Sequence, residues 1–69
     1  MPLTIAGLGE ENAVKRVGGK AEVRRFLENL GFVPGASVKI VNEISGNVIV
    51  SVKESRIALS REMAAKIIV

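Results

Sequence analysis

The sequence predicts a mainly β fold: a small, partly open barrel of about five strands, with one α-helix inserted between the first and second barrel strands. Three observations carry this. Apolar residues recur at period two, Val38, Ile40 and Ile44 with Asn42 as the polar member, and again Val48, Val50 and Val52. Turn residues, Ser45-Gly46-Asn47 and Lys53-Glu54-Ser55, punctuate that alternation. One stretch alone, Lys20 to Leu30, carries a clear helical period. Closing most of a sheet on itself removes exposed edges, which so small a β-protein needs.

The elements follow in order. Leu3-Thr4-Ile5 opens a short apolar segment, and Gly7 to Asn12 reads as a turn from its glycines and polar tail. Ala13 to Val17 reads as the first strand, ending at Gly18-Gly19. Val14 and Val17 are three apart, so a regular strand would send them to opposite faces. A bulge, or one outward-facing valine, is required. In the helix, Val23, Phe26, Leu27 and Leu30 form an apolar stripe at i, i+3, i+4 and i+7, which assigns Phe26 to the core. Arg24 and Glu28 lie off the stripe, four apart and within pairing reach. Gly31 stands where a left-handed cap belongs, and Pro34 follows as a stop. Beyond Pro34-Gly35, Val38, Ile40 and Ile44 share one strand face with Asn42, and Val48, Val50 and Val52 return after the hairpin signal. Ile57 and Leu59 mark the next strand, Arg61 to Ala65 a single helical turn with Ser60 as N-cap, and Ile67 to Val69 the last strand. This succession is that of an SH3-like barrel.

Composition narrows the chemistry. A chain of 69 residues makes one domain, residues 1–69, and buries only about 60% of the surface its unfolded form exposes. There is no Cys, His, Trp, Tyr or Asp. Disulfides, the usual zinc sites and Ser-His or Cys-His nucleophile pairs are therefore excluded, and no cofactor or metal site is assigned. Glu10-Glu11, Glu22 and Glu62 are better read as solvated carboxylates, since no loop concentrates the oxygens a calcium ion needs. Gly18-Gly19-Lys20 precedes a helix but lacks the rest of a phosphate loop, with Ala21 where a hydroxyl should stand. It is better read as a flexible corner. Ten Lys and Arg against seven Glu give +3, interleaved with acids rather than massed. That favours ordinary solvated surface over a nucleic-acid footprint. Two Phe are the only aromatics, too few for base stacking or a Pro-rich ligand groove. No run approaches the roughly 18 to 20 apolar residues of a membrane span, and the N-terminus has no secretory pattern, so the expected location is the cytoplasm, without membrane insertion.

Several apolar residues stand out of phase with the core: Val41, Ile49, one of Ile67 and Ile68, and the Phe32-Val33-Pro34 segment. Singly they are unremarkable, and clustered they would make a protein-binding surface.

The chain resembles the FeoA family over nearly its whole length. The matching features are Leu3-Thr4-Ile5 with Gly9-Glu10, then Val14-Lys15-Arg16-Val17-Gly18-Gly19, then Arg24 through Gly35, and finally Ile57 through Ala64 with Ile67-Ile68-Val69. The central hairpin, Glu43 to Asn47, departs from the Ala-Pro-x-Gly pattern common in the family. The resemblance implies an SH3-like fold, no enzymatic activity, and a role in bacterial ferrous iron transport through the cytoplasmic part of the membrane permease FeoB. The resemblance extends to the C-terminal module of metal-responsive repressors, whose upstream domains 69 residues cannot contain, and the rival from another class is a small basic nucleic-acid-binding barrel. On the docking reading, Arg24, Arg25, Leu27, Phe32, Val33 and Pro34 are the expected partner-binding residues. Arg24, Arg25, Phe32 and Val33 would be exposed, with Leu27 and Leu30 shaping the surface from beneath. Simple docking ranks above an arginine finger at Arg24 or Arg25, which must also reach a nucleotide pocket. Self-association is left open.

Overall fold

The computed structural model describes residues 1–69. Its elements are a 3₁₀ turn Leu3–Ile5, then β1 Glu11–Ala13, β2 Arg16–Val17, α1 Ala21–Leu30, β3 Ser37–Ile44, β4 Asn47–Val52, β5 Ser55–Ser60, α2 Arg61–Ala64 and β6 Ile67–Ile68. Four strands form one antiparallel sheet in the order β1-β3-β4-β5, and β2 pairs with β6 in a second. The result is mainly β and a partly open barrel, with α1 inserted early as expected. The strand count is six, because the first expected strand is two.

The spacing of Val14 and Val17 has its cause there. Val14 donates to Ala36 O at 2.9 Å, on the β3 side, whereas the Lys15 amide donates to Ile68 O at 2.7 Å, on the β6 side. The chain changes sheets between these two residues. Val14 is buried in the core and Val17 half-buried against it. Leu3–Ile5, read only as an apolar segment, is a 3₁₀ turn that buries Leu3.

A second irregularity corrects the β3 reading. Ile40 pairs with Val50 and Asn42 with Ile49, so Val41 is an extra residue in the ladder. One inserted residue reverses which face every later side chain takes. Val38 and Ile40 are buried, but Ile44 is turned to the outer face and is 55% exposed. The inner faces of β3, β4 and β5 supply Val38, Ile40, Val48, Val50, Val52 and Leu59 to the core. Leu3, Val14, Leu27, Phe32, Ala64 and Ile67 fill it from the remaining elements.

The second turn is built as its sequence suggests. Ser60 Oγ accepts the Met63 amide at 3.2 Å, an N-cap bond that starts α2. No helix is long and apolar enough to cross a membrane.

Candidate docking surface

Helix α1 buries a narrow face. Leu27 is fully buried, and Val23 and Leu30 are half-buried beside it. Successive helical residues differ by about 100°, so Phe26 sits on the flank of a stripe centred on Leu27. It is 50% exposed, which overturns its assignment to the core. Arg24 and Arg25 are exposed as expected. Arg24 does not pair with Glu28: the one ion pair within 4 Å in the molecule joins Arg61 to Glu43. Both α1 guanidinium groups are thus without a carboxylate partner.

At its C-terminus the helix turns sharply inward. Gly31 takes φ +111°, a left-handed conformation that favours glycine, and its amide donates to Glu28 O at 3.0 Å. The Phe32 amide donates to Leu27 O at 3.1 Å. These two bonds make a Schellman cap, whose usual companion is an apolar contact across the same residues. Phe32 is driven into the core, fully buried, so the expectation that it lies exposed is wrong. Leu27 is likewise closed to any partner in this conformation. The two phenylalanines have exchanged their expected places. Only the narrower stripe Val23, Leu27, Leu30 was needed for a core face, and that spacing was the signal that Phe26 could point elsewhere.

The loop beyond Phe32 stays near the surface. Val33 is half-buried and Pro34 exposed. The Ala36 amide closes a turn onto Val33 O at 2.9 Å, and the Gly35 amide, at φ +90°, donates to Val14 O at 2.8 Å. Pro34 also restricts Val33 to extended backbone. Of the expected partner-binding residues, Arg24, Arg25 and Pro34 are thus exposed, Val33 is half-buried rather than exposed, and Leu27 and Phe32 lie beneath, while Phe26 is accessible instead.

Chemistry elsewhere is sparse. No group of three or more acidic side chains gathers in a way that could hold a metal ion. One surface depression of about 240 Å³ lies on the outer sheet face, between Glu11, Ser37, Lys39, Ser51 and Lys53. Ser37 Oγ donates to Glu11 Oε1 there at 3.2 Å. Both partners of that bond are exposed to solvent. The arrangement can bind through shape and charge.

The model of the FeoA domain family matches residues 1–69. A protein of Methanocaldococcus jannaschii described as "Putative Fe(2+) transport protein A" is 37% identical over 68 residues, covering 99% of this chain and 83% of that protein. The crystal structure of Stenotrophomonas maltophilia FeoA, complexed with zinc and described as an SH3 domain protein, is similar with TM-score 0.87 and 27% identity, over 99% of this chain and 87% of that one. The solution structure of the FeoA protein from Chlorobium tepidum gives TM-score 0.88 and 28% identity, over 97% of this chain and 66% of that one.

Proposed function

This chain belongs to the FeoA family, and we propose that it serves ferrous iron uptake as a non-catalytic accessory that docks on the cytoplasmic part of a FeoB-type permease. The observation that carries the reading is the match of one transport family over the whole chain, residues 1–69. The surface supports it. Phe26 and Val33 offer apolar area, Arg25 offers unpaired charge next to Phe26 with Arg24 on the far flank of the helix, and the capped loop is held in place before any partner arrives. Pre-ordered apolar residues flanked by charge suit a binding hot spot, because little freedom is lost on docking. The absence of His and Cys from the sequence and the lack of an acid–base constellation favour binding over catalysis.

The test is co-purification of the tagged chain with the permease from membranes, alongside ferrous iron uptake by cells carrying each variant. Arg25→Glu combined with Val33→Glu is expected to abolish both while the circular dichroism spectrum stays native. A folded double variant that still binds and supports uptake removes this surface from the interface. Failure of the wild-type chain to retain the permease at all overturns the partner.

A further inference from the structure

Strand β5 lies at the edge of the larger sheet and has one free side. Two observations fix which of its residues face that side. Lys53-Glu54 is a two-residue turn, so Val52 and Ser55 close the hairpin as a bonded pair. At the other end the Arg61 amide donates to Gly46 O at 3.3 Å. Both set the same alternation, in which Ser55, Ile57 and Leu59 exchange bonds with β4. Arg56 and Ala58 then aim N–H and C=O away from the sheet. Both are exposed, and no backbone or side-chain group outside the strands bonds to either.

The side chains along this edge differ in kind. Arg56 is the only charged residue of β5, and it lies on the outer face in register with Ser51 and, beyond it, Lys39. It has no carboxylate within 4 Å, and neither Glu54 of the turn nor Glu11 opposite Lys39 is in an ion pair. Two residues on, Ala58 lies opposite half-buried Ile49 on the same face. The edge therefore presents a free cation, then a shallow apolar step.

We propose that the β5 edge accepts an extended segment of a partner protein as an added antiparallel strand, with an apolar side chain over Ala58 and Ile49 and, two residues later, a carboxylate beside Arg56. Main-chain bonds at Arg56 and Ala58 supply the attraction, and the alternate side chains supply the preference. A second copy of this chain fits the edge less well. Two-fold pairing about Ile57 brings the Lys53 end of one copy to the Arg61 end of the other, between chains that each carry +3. This edge is separate from the α1 surface, and its test needs no permease.

The probe is the peptide acetyl-Thr-Thr-Val-Thr-Glu-Thr-Thr-amide, titrated into the isotopically labelled full chain and followed by NMR. Saturable shifts are expected at the Arg56 and Ala58 amides. Replacing the peptide's Glu by Lys should weaken binding at least fivefold, and Arg56→Glu in the protein should reverse that preference. N-methylation of the peptide's Val and Glu, which deletes the donors facing β5 and leaves the protein untouched, should abolish the shifts. The proposal is overturned by an absence of saturable shifts at Arg56 and Ala58 up to roughly millimolar peptide, or by undiminished binding of the methylated peptide. It is equally overturned by sedimentation showing a dimer that Ala58→Pro dissolves, which would give the edge to a second copy.

Discussion

The Phe32 amide donates to the Leu27 carbonyl at 3.1 Å, and the side chains of both residues are fully buried. The bond ends the helix and the paired burial anchors it to the barrel. Leu27→Ala should cost about 2 to 5 kcal/mol, and Phe32→Ala about 3 to 5. In a domain with only about 5 kcal/mol to spare, either loss is most of the stability. Chemical denaturation of both variants measures this, and a near-native midpoint for Phe32→Ala would place the ring outside the core.

The β3–β4 turn has room for improvement. Ser45 holds φ +48° and Gly46 +80°, the pattern of a hairpin turn in which both central residues are left-handed. Asn tolerates that conformation better than Ser. Ser45→Asn should raise stability by about 0.5 to 1 kcal/mol, seen as a higher melting temperature. A lower one would mean the serine hydroxyl has a role that its lack of any side-chain bond does not suggest.

The Arg61–Glu43 pair should matter far less. Nη1 and Oε1 are 3.1 Å apart, but both side chains are about half exposed. Exposed pairs are screened and contribute under about 1 kcal/mol. Glu43→Gln should shift the melt slightly at low salt and not at all near molar salt. A loss of several kcal/mol would show that the hairpin depends on this contact.

Most of the sheet was legible because its cause is local: alternation of Val48, Val50 and Val52 is enough to set one buried face. The bulge was not legible. Val41 is itself apolar, so an insertion there leaves the pattern looking continuous while Ile44 changes face. The sheet switch left a trace in the spacing of Val14 and Val17, but nothing local says which strand each half will meet. The candidate surface was half legible. Arg24 and Arg25 lie exposed where periodicity puts them, but Val33, expected exposed, is half-buried. Phe26 and Phe32 were misplaced because the choice between them depends on where the capped chain re-enters the barrel, a tertiary matter.

Metal binding offers a separate check on the reading of this chain as an accessory. Only Glu side chains are available as strong ligands, and no three of them gather. Titration of the purified protein with Zn(II) or Fe(II) should show no stoichiometric site tighter than about micromolar, since carboxylates alone suit these ions poorly. Such a site in isothermal titration would mean that residues distant in this structure, or in a second copy, come together around the ion.

Phe26 gives the sharpest separation of packing from docking. Half of its surface stays in contact with water, in a chain that buries its other phenylalanine completely. Removing a half-exposed ring from the flank of α1 should cost much less than the full burial of an aromatic side chain, under about 1.5 kcal/mol. If the ring is held out for a partner, the same change should weaken association more than tenfold, since aromatic side chains at the centre of an interface carry a large share of its energy. Phe26→Ser is therefore expected to melt close to wild type yet fail to co-purify with the permease. Arg24→Ala, on the opposite flank of the helix, provides the comparison and should weaken binding mainly at low salt, as screened charge does. A Phe26→Ser chain that binds normally would move the contact away from this flank. One that unfolds would return Phe26 to the core role its spacing first suggested.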